Sequence, residues 1–142
     1  MMSEFELYIS GEPVAQGRPR FTSIHGYTQA VDPAKSHEFK QLVARMAREK
    51  MSQKPLMEGP LCLFLKVTRV PPKSWSKYRR KDAIEGREGI VSKPDLDNYV
   101  KIVLDALNGV VFPDDSSVVR ICASKRWSFV PGMSVRITED KP

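Results

Sequence analysis

The sequence predicts a single α+β domain with a mixed β-sheet and two main helices. Some stretches alternate apolar and polar residues, as half-buried strands do, and two others repeat apolar residues at helical spacing. Their order along the chain is strand, helix, strand, helix, strand, strand. At 142 residues the chain is one domain's length, residues 1–142. It is long enough to build a core without disulfide or metal staples.

Glu4 to Ser10 alternates, with Phe5, Leu7 and Ile9 on one face, and predicts a strand. Gly11 to Tyr27 is rich in turn formers and presents Arg18 and Arg20 on a loop. A helix is expected next. Asp32 can cap its free amides, Pro33 suits the first helical position, and Phe39, Leu42, Val43 and Met46 recur at helical spacing. Its other face carries Lys35, Lys40, Arg45 and Arg48. Leu61 to Val70 is apolar on both faces and predicts a central strand, ended by Pro71-Pro72.

Residues 71–93 read as a long polar loop with a short helix around Ser76 to Ile84. Leu96 to Asn108 predicts the second main helix, with Leu96, Val100, Val103, Leu104 and Leu107 in one stripe. Asp97, Lys101, Asp105 and Asn108 line the neighbouring stripe, and Asn108-Gly109 stops the helix. Val118 to Trp127 and Met133 to Thr138 alternate, and Ser128 to Gly132 between them suggests a hairpin. There is no internal repeat and no low-complexity tract.

The longest apolar runs fall far short of the roughly 18 residues of a membrane span. The acidic start of the chain lacks the basic-then-apolar layout of a signal peptide, which predicts a cytoplasmic protein. Cys62 and Cys122 lie in apolar alternations and are expected to be reduced core thiols. His25 and His37 are expected on the surface, and nothing suggests zinc.

The net charge is +6, which suits a polyanion partner without demanding one. Its distribution says more. Lys66 to Lys93 holds nine bases against three acids, a net of +6. Pro94 to Val118 holds five aspartates against Lys101, a net of −4.

Asp95 and Asp97, two residues apart, would point the same way from extended backbone, and aspartates also serve as helix caps. Asp114-Asp115 taken alone is a solvated turn. If the strand after Ser117 pairs beside the start of the second helix, all these carboxylates converge at one end of the sheet. Such a cluster calls for a hard cation, Mg²⁺ or Mn²⁺. Lys101, one turn after Asp97, is either an exposed ion-pair partner or a charge facing a scissile phosphate. Trp75 and Tyr78 interleave with Lys73, Lys77, Arg79 and Arg80, a mixture suited to phosphate contact and base or sugar stacking.

The run Lys93-Pro94-Asp95-Leu96-Asp97-Asn98, then Lys101, Leu104 to Gly109, and Asp114-Asp115 with Val118-Val119, resembles the RusA family of Holliday junction resolvases. Gly11-Glu12-Pro13 and Gly17 to Phe21 resemble the amino-terminal loop of some members, and the length agrees. The resemblance implies a RusA-like fold in which residues 94–119 form the acidic metal-site core and 71–93 a basic loop. It implies that Asp95, Asp97 and Asp115 bind metal, with Asp114 as their neighbour, and that Lys101 is catalytic. Asn98 and Asp105 match positions of structural use. Where some members place an arginine before the first aspartate, this chain has Pro94.

The family's proteins are small homodimeric endodeoxyribonucleases, often carried by phages and prophages. The implied activity is Mg²⁺-dependent cutting of four-way DNA junctions in recombination and repair, by paired symmetric phosphodiester hydrolysis. Arg18, Arg20, Lys73, Lys77, Arg79 and Arg80 would hold the DNA arms. No membrane and no small-molecule cofactor is expected. Two other readings remain open from the residues alone: a non-cutting DNA-binding accessory protein, and a nuclease for other branched DNA.

Overall fold

A computed structural model describes residues 4–24 and 26–141, with backbone alone at Arg20 and Ile24; His25 lies outside the described residues. In chain order the elements are β1 (Glu4–Ser10), β2 (Arg20–Ile24), β3 (Tyr27–Val31), α1 (Ala34–Met51), β4 (Leu61–Arg69) and α2 (Lys77–Ile84). They continue with α3 (Leu96–Leu107), a 3-10 turn at Asp115–Ser117, β5 (Val118–Trp127) and β6 (Gly132–Glu139). The α+β class and the mixed sheet are as the sequence predicts.

Four strands form the main sheet in the order β1-β6-β4-β5, and β2-β3 is a separate small hairpin. β1 buries Phe5, Leu7 and Ile9 and exposes the residues between them. β4 is interior, antiparallel to β6 and parallel to β5. Helix α3 is therefore the crossover of a parallel β-α-β unit, which carries the chain from one end of the sheet to the other.

The hairpin expected from Ser128 to Gly132 does not form, because β4 lies between β5 and β6. Leu61, Leu63, Leu65 and Val67 give β4 the most apolar row in the sheet, and the interior position buries all four. The segment 128–131 instead crosses the end of β4. There Ser128 N–H donates to the Arg69 carbonyl at 2.7 Å, and the Thr68 hydroxyl donates to the Val130 carbonyl at 2.9 Å. The hairpin β2-β3 lies in and beyond the stretch read as loop. Its exposed strand β3 lacks the buried alternation by which strands are recognised.

Helices α1 and α3 pack on each other and cover one sheet face, closing a core that includes Val43, Ala47, Tyr99, Ile102, Val103 and Phe112. The buried stripe of α3 is rotated from the expected one. Tyr99, Ile102 and Ala106 are buried with Val103 and Leu107, whereas Leu96, Val100 and Leu104 are half-buried. Tyr99 and Ala106 do not stand out in a count of large aliphatics, yet they face the sheet.

Asp32 does not cap α1. Pro33 occupies the cap position, and the helix has no side-chain cap hydrogen bond. The Asp32 carboxylate instead accepts from Gln16 Nε2 at 2.6 Å and lies 2.6 Å from Lys40 Nζ. Cys62 is buried, but Cys122 is exposed, contrary to expectation. β5 is an outer strand, so a side chain facing away from the helices there has neighbours on one side only. His37 is on the surface. No helix among the described residues is long and apolar enough to cross a membrane.

Candidate active site

Asp95 occupies the cap position of α3 in extended backbone, φ −70° and ψ 148°, and its side chain makes no cap hydrogen bond. Asp97 already belongs to the first helical turn. The two carboxylates therefore leave different backbone conformations, not the single extended segment that the spacing suggested. Both are exposed, as are Lys101, Asp105 and Asn108, so the polar stripe of α3 faces outward. Among the described residues, Asp95, Asp97 and Asp115 enter no ion pair.

Three residues fix the start of α3 through four hydrogen bonds. Lys125 Nζ donates to the carbonyls of Ser92 at 3.0 Å and Pro94 at 3.1 Å. Arg69 Nη1 donates to the Lys93 carbonyl at 3.3 Å. Gln16 N–H donates to the Asn98 carbonyl at 2.9 Å, which docks the amino-terminal loop on the first turn. Gly17 sits so close to α1 that an added Cβ would stand 3.0 Å from Pro33 Cγ. Exposed Arg18 follows at once. The side chain of Arg20 lies outside the described residues. Lys125 and Arg69 had no function assigned from sequence, since nothing marks a lysine or arginine on a strand as a support for a loop distant in the chain.

Asp114 and Asp115 lie at the other end of α3. Hydrogen bonds from Ser116, joined by others from the Asp115 amide and the Asn108 side chain, hold the Asp114 carboxyl below the usual range. Asn108 is the residue that closes α3, and Gly109 N–H donates to the Phe112 carbonyl at 2.8 Å, so the chain folds back there. A helix of 12 residues is about 18 Å long. The expected convergence of carboxylates thus does not occur within one chain: β5 begins where α3 ends. Among the described residues, no three His, Cys, Asp or Glu side chains come together in a way that could hold a metal ion. Asp105 faces α1, with Lys40 Nζ 3.9 Å away.

The basic loop is folded. Ser76 caps α2 by accepting from the Arg79 amide at 3.2 Å. Beneath α2 lies a small second core of Ala83, Ile90 and Trp127, with Trp75 packed edge-on to Trp127 at 5.2 Å. Trp75 is therefore largely engaged, whereas Tyr78 is 86% exposed. The Arg79 guanidinium stacks 3.5 Å from the Trp75 ring centre and is bidentate to Glu88. Lys73 and Lys77 are exposed without ion pairs among the described residues. Arg80 is half-buried, and its Nε has no hydrogen-bond partner.

A paired acid motif on an exposed helix stripe, a lysine one turn later and a folded basic insertion are now in place. The family model described as Endodeoxyribonuclease RusA matches residues 10–138. The chain belongs to the RusA family. The RusA match runs from the end of β1 through β6 and takes in both acid pairs, Lys101 and the basic insertion. The chain is also 44% identical over 138 residues to a protein of Bacillus subtilis (strain 168) named uncharacterized protein YqaN, covering 96% of this chain and 95% of that one. Membership in RusA makes the protein an endodeoxyribonuclease by family, and the family's nucleases generally depend on a divalent metal. Oxygen-only donors that are exposed and unpaired suit such an ion.

Proposed function

We propose that this RusA-family protein is a Mg²⁺-dependent endonuclease that resolves four-way DNA junctions as a homodimer, cutting two strands symmetrically. The observation that carries the reading is the exposed row Asp95, Asp97 and Lys101 on α3, free of ion pairs within a chain rich in lysine and arginine. Asp95, Asp97 and Asp115 would hold the metal, which when bound lowers the pKa of a water and clamps phosphoryl oxygens. Lys101, on the same stripe as Asp97, puts an ammonium where negative charge builds on the phosphate. Arg18, Arg20, Lys73, Lys77 and Arg80 would hold the DNA arms by their phosphates, while Arg79, held by Glu88 and Trp75, would brace the insertion that presents them.

The separation of Asp115 from Asp95 and Asp97 along α3 supports a dimer. β5 is an edge strand, with Val119 59% and Ile121 47% exposed. Two β5 strands paired antiparallel about a two-fold axis would set the start of one beside the end of the other. The end of β5 is where Lys125 holds Pro94, next to Asp95. Such pairing would carry the partner subunit's Asp115 toward Asp95 and Asp97 and complete two equivalent sites. A junction offers two equivalent phosphates to match.

The test compares a four-way junction, a flap and a linear duplex of the same sequence, with and without Mg²⁺. Paired nicks confined to the junction and dependent on the metal are expected. Equal cutting of linear duplex would refute the junction reading, and metal-independent cutting would refute the ligand assignment.

A further inference from the structure

A groove of about 760 Å³ lies between α2 and the segment that crosses the end of β4. Its walls are apolar: Tyr78 and Ile84 from α2, Val70 after β4, and Phe129 from the crossing segment. Tyr78 is 86% and Phe129 80% exposed, the two most exposed aromatic side chains in the described structure. Aromatic rings held this far in water on a folded support are costly to hydrate and stabilise little of the fold. Lys77, Arg80 and Lys81 line the same groove against the single acid Glu85. The Arg80 Nε is itself buried and has no hydrogen-bond partner.

The groove is also tied to the acid site. Ser128, next to Phe129, is bonded to the Arg69 carbonyl, and the Arg69 guanidinium is bonded to the Lys93 carbonyl, two residues before Asp95. Aromatic faces beside several cations match one ligand class, a nucleobase with its flanking phosphates, because every base has a face to stack and every phosphate a charge to pair. A fully paired duplex cannot offer such a face without losing a base from its stack.

We propose that the Tyr78–Phe129 groove binds an unpaired nucleobase of the DNA strand that runs toward Asp95 and Asp97. The source of that base, the branch point of a junction, rests on the function proposed above; the stacking itself does not. The ligand has single-strand character, so the groove gives the enzyme a means of selecting branched over continuous duplex DNA at the position where it cuts. Lys77, Arg80 and Lys81 hold the neighbouring phosphates.

The experiment uses the full chain without divalent metal, and a short single-stranded oligonucleotide with one central 2-aminopurine among thymines; the same oligonucleotide annealed to its complement is the control. Binding to the unaltered chain should change the 2-aminopurine fluorescence as the base stacks. Tyr78→Leu and Phe129→Leu should each weaken single-strand binding about tenfold and abolish the fluorescence change, with little effect on the duplex. Both residues are exposed, so the variants should keep the native circular dichroism. Equal affinity and equal fluorescence change in the variants would overturn the proposal, as would an equal loss on single strand and duplex. Junction cleavage by the unaltered chain is scored separately. Stacking that persists in a chain unable to cut junctions would refute the junction reading and uphold the groove; junction cutting with no stacking would do the reverse.

Discussion

The Lys125 ammonium donates a 3.1 Å hydrogen bond to the Pro94 carbonyl, so the edge strand β5 holds the residue on which Asp95 hangs. The same ammonium reaches the Ser92 carbonyl at 3.0 Å. One side chain thus sets the path by which the chain leaves the basic insertion and starts α3. The tie fixes where Asp95 and the first turn of α3 stand against the sheet.

Lys125→Met keeps the stem and removes the donor. It should cost about 1.5–3 kcal/mol of stability, as expected for a hydrogen bond from a charged group. Junction cleavage should fall about tenfold or more, because a small misplacement of reacting groups is expensive. DNA affinity should change little, and Lys125→Arg should restore part of the rate. Thermal unfolding and single-turnover cleavage check both sides. A variant that loses affinity and rate in equal proportion would make Lys125 a DNA contact instead of a positioning residue.

The parts legible in the sequence were those whose signal is local. β1, the short helix α2 and the polar stripe of Asp97, Lys101 and Asp105 all stand where the sequence put them. The errors came from pairing and partners distant in the chain. Alternation in β5 and β6 reports two strands but not the insertion of β4 between them. The Asp32 carboxylate is a good cap by residue type, yet Gln16 and Lys40, neither adjacent to it, claim it. Of the acids, the sequence suggested one cluster; the length of α3 separates them, and only the parallel crossover reveals it.

Asp32 gives a pH dependence. Burial pushes its pKa up, but hydrogen bonds from Lys40 and Gln16 and the Lys40 charge outweigh this, leaving it below the ordinary 3.8. A depressed carboxylate contributes stability that is fully present above the unfolded value and is lost as pH falls through the folded one. Asp32→Asn should therefore destabilise by about 1 kcal/mol at neutral pH. The gap from the unaltered chain should close as pH drops below 3.8. Urea unfolding at several pH values tests this, and a gap that widens in acid would contradict the assignment.

The two cysteines should differ sharply in reactivity. Cys122 is exposed on an outer strand, whereas Cys62 is buried and burial pushes its thiol pKa up. A native chain should titrate one thiol promptly with an aromatic disulfide reagent and the second only on unfolding. Cys122→Ser should remove the fast phase. Two fast thiols would mean that β4 is not shielded as described.

Within the basic insertion, Lys77 and Arg79 should part company. Arg79 is committed to Trp75 and Glu88, so Arg79→Ala should loosen α2 and make the insertion more sensitive to protease. Lys77 is exposed with no such partners. Lys77→Ala should leave protease resistance unchanged and lower the salt dependence of DNA binding by about one phosphate's share. Equal effects of the two on the salt slope would show that Arg79 leaves Glu88 for DNA.

The arrangement of acids about α3 makes a sharper demand on the dimer. If each site takes Asp95 and Asp97 from one chain and the partner subunit's Asp115, then Asp97→Asn and Asp115→Asn each destroy both sites of a homodimer. Mixing the two inactive variants by unfolding and refolding makes mixed dimers about half the time. In a mixed dimer one site receives both substitutions and the other receives none. That pool should nick one strand of a junction at roughly a quarter of the normal density of sites, while paired cuts stay absent. Sites completed within one chain would give no rescue at any mixing ratio, because every chain would still carry a broken set. Rescue that includes paired cuts would also fail the scheme, since no dimer in the pool has two whole sites.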